Sequence, residues 1–407
     1  GFSSPDIPND KTPVPDQAEN VVFSDKPTLG RLTVEMVEKF RLRSKALGEA
    51  QYWAIDDYAI SPVDGSIYLL DAKEFTLQVF DPAGKHVRVI RIPRGQGPGE
   101  LGGQFPLSNK AYPRKDGLWA EDYGEIALFD HKGKIIKKKD KGAAGYSQIL
   151  GISPESLLVI RDKRGTFDKT NPNRAFPGVQ HFELENWGGQ TLARYFSSAK
   201  TGGWGNAWVN HVRDYRITPL ILFDYDPESR RVVYASSDEY ALTVKDLDGK
   251  AIQTIRRDFT PRKITAAMRD VVMASPYFQN LLTGMKRNGE DFQKMMDMNQ
   301  VWGHLNPLLK IQFLADGMIC AFVLKDVQGA FEADIFDRQG HWRITLQFPE
   351  AVQKFRNPRL QGNRLTGLES DDDGEFQYVE YILKNIPAEV IDTIIGQISG
   401  THYSIPK

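Results

Sequence analysis

The chain has 407 residues, 41% of them hydrophobic, with 52 basic and 53 acidic side chains and a formal net charge of −1. That is enough apolar material for a substantial core, and the balanced charge removes the electrostatic case for nucleic acid or an anionic membrane as partner. The single cysteine, Cys320, excludes an intrachain disulfide and a cysteine-rich metal site, and no apolar run reaches the length that crosses a bilayer.

Residues 1–28 open polar and proline-rich, from Ser3-Ser4-Pro5 to Pro13-Val14-Pro15, and read as a flexible tether. A tether ahead of a globular domain suits an exported protein, periplasmic or extracellular, and a lipid anchor lost ahead of Gly1 would fit it. Leu32 to Arg43 alternates as an opening strand. Tyr58 to Ser61 then leads through Asp64-Gly65 into Ser66–Asp71, Thr76–Phe80 and His86–Ile90. Short β-branched and aromatic runs broken by Asp-Gly turns are the pattern of an antiparallel meander.

The same order returns along the chain. A second unit runs through Leu118–Ala120, Glu125–Phe129 and Lys134–Ile136. A third holds Ser147–Leu150, Ser156–Ile160 and Val179–Leu184, stretched by a polar, proline-containing segment. The fourth spans Leu220–Val244, the fifth Leu309–Leu346, and the sixth Arg364–Leu383 with a turn at Asp373-Gly374. Four of these units share an Asp-x-x-Gly turn: Asp81–Gly84, Asp130–Gly133, Asp246–Gly249 and Asp337–Gly340; Glu185–Gly188 reads as a fifth, degraded copy. A sheet of this size cannot bury its own faces, so the repeat implies stacking of units. The sixth unit lacks one strand, and Leu32–Arg43 would supply it and close a ring without exposed edges.

The expected fold is therefore all-β, a six-bladed β-propeller over residues 29–386, with a C-terminal tail at 387–407. A helical insertion is expected between blades four and five, at about 261–306. There Ile264, Met268, Val271 and Val272 recur at helical spacing, as do Leu281, Leu282 and Met285, and Phe292, Met295 and Met296. Such a methionine-rich segment either packs over a blade or serves as an adaptable recognition surface.

The first blade and its exit loop, from Ile67-Tyr68-Leu69-Leu70-Asp71 through Val79–Gly84 to Arg94-Gly95-Gln96-Gly97-Pro98-Gly99-Glu100-Leu101, resemble the NHL-repeat-like six-bladed propellers of exported bacterial proteins. Many of those proteins have no assigned activity, so the resemblance implies a fold and not a reaction.

Candidate chemistry is sparse. Gly95, Gly97 and Gly99 do not lead into a helix as a phosphate loop must, and they read as an inter-blade turn that an Arg94–Glu100 ion pair would lock. Cys320 lies in the apolar run Gly317–Leu324 and reads as a core thiol. The seven histidines include no close ligand pair, and His211, beside Arg213 and Asp214, is the one to watch. No Gly-x-Ser-x-Gly elbow occurs.

Two function classes remain. The first is a binding or scaffold module, not an enzyme, which recognises a protein, peptide or glycan through the glycine-rich aromatic stretch at 176–215. Its candidate ligand-binding residues are Trp187, Trp204, Trp208, His211, Arg213 and Tyr215. The bland alternative makes that stretch an aromatic seam between blades three and four. The second class is a metal-assisted, lactonase-like hydrolase or lyase with its site in the central channel. Calcium or another divalent cation would be held by Asp57, Asn109, Gln148 and Asp224, with Gln312 in a comparable place. No cofactor is required by the first reading.

Overall fold

A computed structural model describes residues 20–43, 55–71, 74, 76–93, 95, 97, 100–101, 110–114, 116–121, 125–130, 132–140, 146–163, 178–200, 221–274, 279, 283, 304–326, 330–349, 355–371 and 375–386. These form six antiparallel sheets. Blade one is β4 (Ile55–Ile60), β5 (Ile67–Asp71), β6 (Thr76–Phe80) and β7 (His86–Arg91). Blade two is β8 (Lys110–Arg114), β9 (Gly117–Glu121), β10 (Glu125–Phe129) and β11 (Ile135–Asp140). Blade three is β12 (Tyr146–Ser153), β13 (Ser156–Lys163), β14 (Gly178–Asn186) and β15 (Thr191–Lys200). Blade four is β16 (Ile221–Asp226), β17 (Arg231–Ser236), β18 (Ala241–Asp246) and β19 (Ala251–Arg257). Blade five is β20 (Leu308–Phe313), β21 (Ile319–Leu324), β22 (Phe331–Phe336) and β23 (Trp342–Gln347).

Blade six takes β24 (Phe355–Gln361), β25 (Arg364–Ser370) and β26 (Phe376–Lys384) from the C-terminal end of the ring and β3 (Glu35–Leu42) from the N-terminal end. The strand expected at Leu32–Arg43 does close the ring, and it divides at Val34. Its first part, β2 (Arg31–Thr33), runs parallel to β23 as a fifth strand of blade five. Before it, β1 (Val21–Ser24) runs parallel to β19 as a fifth strand of blade four. The segment from Asn20 onward, inside the expected tether, is thus built into the sheets. One N-terminal stretch crosses the outer edges of three consecutive blades.

Neighbouring blades cover both faces of the middle strands, and strict alternation disappears there. Every residue of β5, β9, β21 and β22 is buried. One apolar cluster fills each of the six seams. Leu42, Leu368 and Tyr378 meet Ile55, Tyr58 and Phe80 where blade six returns to blade one. Cys320 is a core thiol in the seam of blades five and six, as its apolar run implies.

The Asp-x-x-Gly motif joins the third and fourth strands of its blade. In blade one the Asp81 carboxylate accepts from the backbone N–H groups of Ala83 and Lys85, while Gly84 takes the left-handed conformation at φ 84°. The blade-three copy is one residue later than expected, at Asn186–Gly189, with Gln190 N–H donating to Asn186 Oδ1 at 3.0 Å. Asn supplies the same acceptor oxygen as Asp. Blade six has no such hairpin between its third and fourth strands because its fourth strand arrives from the N-terminus. Its Asp371 instead accepts from Glu375 N–H between β25 and β26.

These turns abut the outer strand of the preceding blade: Gly84 against Phe40, Gly133 against Ile90, Gly249 against Ala193, and Gly340 against Ile255 and Val22. The fit is tightest at Gly340, where a methyl group would stand 2.8 Å from Ile255 Cγ1 at φ 86°. The seam of blades four and five also holds a buried ion pair. Arg257 Nη1 meets Asp334 Oδ2 at 2.6 Å, and the guanidinium lies 4.5 Å from the Tyr240 ring centroid and 4.6 Å from that of Trp342. Tyr240 and Thr345 hydroxyls donate to the same carboxylate.

The insertion between blades four and five contains α1 (Ala266–Met273), capped by the Thr265 hydroxyl accepting from Met268 N–H at 3.2 Å. Val272 is its buried residue, whereas Val271, expected on the same face, is 42% exposed. Met268 on the helix and Ile264 just before it are half-buried, and Leu281, Leu282, Met285, Phe292, Met295 and Met296 lie outside the described residues.

Gly340→Ala is expected to cost about 1–3 kcal/mol through strain and overpacking, read as a lower urea midpoint. A wild-type midpoint would refute the seam role of the turn. Removing the carboxylate in Asp334→Ala should cost about 3–5 kcal/mol, since it strands a buried guanidinium; a loss under 1 kcal/mol in the same measurement would refute that.

Candidate functional site

Each blade is an antiparallel meander, so the connections sort onto two faces. One face carries the hairpins between first and second and between third and fourth strands, none longer than Ser61–Ser66. The strand ends that flank 92–109, 164–177, 201–220 and 258–307 all lie on the other face. The innermost strands β4, β8, β12, β16, β20 and β24 begin on that face and line the channel. Their early residues therefore stand nearest the channel mouth on that face.

Four of those strands place a polar residue third: Asp57, Gln148, Lys310 and Asn357. Three of them converge. Lys310 Nζ donates to Asn357 Oδ1 at 2.6 Å, and Asn357 Nδ2 donates to Asp57 Oδ1 at 2.7 Å. The Tyr58 backbone N–H donates to the same Asp57 oxygen at 2.9 Å. Asn357 can turn its amide inward because its backbone is left-handed, at φ 55°. The Tyr58 hydroxyl donates to the Asn357 carbonyl at 2.9 Å and pairs with Thr366 Oγ1 at 3.1 Å, tying blade one to blade six below the cluster.

Asp224, from blade four, accepts from the Phe313 backbone N–H at 2.7 Å. Burial raises its pKa above the ordinary carboxylate value, against the N–H groups of Phe313 and Tyr225 and the charges of Lys310 and Arg359. Lys310 is pushed well below the ordinary lysine value, first by burial and then by the Arg359 charge; Asp224 and Asp57 pull the other way. Lys310 is half-buried. The Arg359 guanidinium stands 5.4 Å from the Tyr58 ring centroid.

Asp57 and Asp224, expected as metal ligands from separate blades, are thus brought to one charged cluster. Both are already engaged by N–H donors, and the charges of both act on Lys310. Gln148 is turned to the Ile221 carbonyl, and Gln312 exchanges hydrogen bonds with the Leu360 backbone. Asn109 lies outside the described residues. Among the described residues no group of three or more His, Cys, Asp or Glu side chains is arranged to hold a metal ion.

Of the aromatic set, Trp204, Trp208, His211, Arg213 and Tyr215 lie outside the described residues. Trp187 sits in the Asn186–Gly189 turn, on the face of tight hairpins and away from the strand ends that flank 201–220. Its ring stacks on Trp119 at 5.8 Å, with Lys137 Nζ 5.9 Å from its centroid. Tyr195 and Phe196 join Phe182, Phe223 and Tyr234 in the seam of blades three and four, as the bland reading had it. In the exit loop of blade one, Arg94 lies outside the described residues, and Glu100 Oε2 accepts from Gly97 N–H at 2.9 Å. The chain's own carboxylate therefore fills the place a phosphate would take. His86, His181 and His341 are engaged by Gln78, Ser197 and Asp337 respectively, none of them in the channel.

Sequence reasoning missed Lys310, Asn357 and Arg359. A signal existed: aligning the innermost strands by blade puts polar side chains at the third position of four of them.

No protein-family model matches the chain, and no curated protein does. Among solved structures, a member of the duf4221 family from Bacteroides vulgatus is 12% identical, with a TM-score of 0.45 over 87% of this chain and 99% of the other. A putative exported protein from Bacteroides fragilis is 10% identical, with a TM-score of 0.46 over 90% and 99%. A gluconolactonase from Xanthomonas campestris is 9% identical, with a TM-score of 0.40 over 86% and 90%.

The Lys310 geometry has a measurable consequence. A lysine with a depressed folded-state pKa contributes stability that is present above the ordinary value of 10.5 and lost as pH falls through the folded value. Wild type should therefore gain stability relative to Lys310→Met as pH rises through the alkaline range to about 10. Urea unfolding of both proteins across that range checks it, and parallel curves would refute it.

Proposed function

We propose that the chain is an exported propeller that binds a protein, peptide or glycan at the channel mouth surrounded by its long connections, and that it is not a metal-assisted hydrolase or lyase. One observation carries this reading. Within reach of carboxylates from blades one and four, the chain supplies Lys310. A calcium ion needs several oxygen donors turned toward it. Here the Asn357 oxygen is turned to Nζ, Asp57 accepts from Tyr58 and Asn357, and Asp224 accepts from Phe313. The described residues of the channel do not fit a divalent cation, because an ion at this position would stand against an ammonium group.

A mouth built this way suits recognition. Its charged and amide groups are fixed by blades one, four, five and six, and the strand ends that flank the longest connections lie on the same face. Rigid floors with variable rims are how propellers and other scaffolds carry binding sites. Export rests on the polar, proline-rich opening of the chain; a purely cytoplasmic pool on fractionation of source cells would overturn it.

Calorimetric titration of the whole chain with calcium chloride tests the choice between the classes. Wild type is expected to show no saturable heat and no change in unfolding temperature. Stoichiometric calcium binding that is lost in both Asp57→Asn and Asp224→Asn would overturn the binding-module reading and restore the hydrolase.

A further inference from the structure

The channel cluster leaves donors of its cations unmet. Asp57 Oδ1 already takes two N–H donors, and Asp224 takes the Phe313 N–H. On the other side, the described residues fill one donor position of Lys310, through Asn357. Arg359 is barer still. Its guanidinium makes no hydrogen bond among the described residues, and its Nε is buried without a partner. Its neighbours are the Tyr58 ring face, a second cation, Lys310, and the Asp224 carboxylate, with which it forms no ion pair among the described residues.

Donors of Lys310 and Arg359 that meet no acceptor among the described residues forfeit hydrogen bonds worth having. Nothing in the fold requires this. Tyr58, Thr366 and Asn357 already join blades one and six without the guanidinium. A planar anionic group supplies what is missing: it accepts two parallel N–H groups from a guanidinium fork, takes a further one from an ammonium, and screens the two charges from each other.

We infer that the channel takes the carboxylate of its ligand, with Arg359 as the bidentate anchor and Lys310 as the second donor. The inference rests on the binding-module reading above and names the chemical class of the ligand. Lys310 and Asn357, third on their strands, lie on the mouth side of Arg359, fifth on β24. The ligand therefore enters carboxylate first, passes Lys310, and leaves its remainder at the mouth. A carboxylate of this kind ends a polypeptide or marks an acidic sugar, and both sources share the same contacts.

The test uses the whole chain and four probes, with calorimetry and thermal unfolding as readouts. The probes are galacturonate against galactose, and a short glycine peptide with a free C-terminus against its C-terminal amide. In at least one pair the acidic member should bind saturably and the neutral one should not. A response in the sugar pair identifies a glycan source, and a response in the peptide pair a polypeptide source. Arg359→Met should weaken the acidic probe roughly tenfold to a hundredfold, and Arg359→Lys should recover part of it. If Arg359→Met does not fold, Lys310→Met takes its place and should weaken the same probe.

Equal binding of acidic and neutral members, wild-type affinity in the folded variants, or a wild type that ignores all four probes would each overturn the inference. Its failure is separable from that of the underlying reading. A wild type that ignores both calcium and the acidic probes sinks the carboxylate alone, whereas calcium held by Asp57 and Asp224 sinks both.

Discussion

The pairing of β3 with β26 is the contact on which the rest of this molecule depends. A propeller blade buries its faces only against its neighbours, so the ring is stable only when its first and last blades meet. Here the meeting is made by hydrogen bonds between residues more than three hundred positions apart, from Leu42↔Tyr378 to Glu35↔Lys384. Arg41 bridges to Glu369 at 2.6 Å and Lys39 to Glu380 at 2.8 Å, and the apolar seam of Leu42, Tyr378, Ile55 and Tyr58 lies beneath. Such non-local closure is slow to find, because the chain gives up loop entropy before the contact repays it. Adding β1 and β2 to blades four and five spreads the closing segment over three blades. Pulling out the N-terminal stretch thus disturbs half the ring.

Closure also divides the two faces by function. On one, the short turns pack into the outer strand of the preceding blade, with Gly340 against Ile255 as the tightest instance. A turn that forms part of a seam cannot lengthen. On the other face lie the strand ends that flank all the long connections, whose Ile92, Leu101 and Phe259 also pack into seams. The channel opens among them onto a cluster drawn from four blades. No single repeat carries this cluster: Asp57, Asp224, Lys310 and Asn357 each come from a different sheet, and the ring alone brings them within reach of one another.

The electrostatics of the cluster explain why it reads as a recognition site. Burial works against both Lys310 and Asp224, raising one group's cost of holding a proton and the other's cost of losing one. Backbone N–H groups and Asn357 satisfy the carboxylates, which leaves the donors of Lys310 and Arg359 as the open valence of the channel.

The sequence alone determined the repeat and its count. An Asp whose carboxylate accepts two backbone N–H groups, followed three residues later by a Gly able to adopt positive φ, is local chemistry, and local chemistry is legible in a string. So was the missing strand of blade six. The off-by-one reading at Asn186 arose because Asn and Asp offer the same oxygen. The innermost strand Phe355–Gln361 escaped notice because Asn357, Pro358 and two arginines hide its apolar positions Phe355 and Leu360. Only the tertiary structure decided the site. Trp187 looked like part of an aromatic loop and is a stacked residue on the opposite face. Asp57 and Asp224 looked like metal ligands and are partnered already. Lys310 looked like an ordinary strand lysine and stands at the centre of the channel. A residue's role here depends on which charges the ring sets beside it, and ring closure joins strands that the sequence holds hundreds of residues apart.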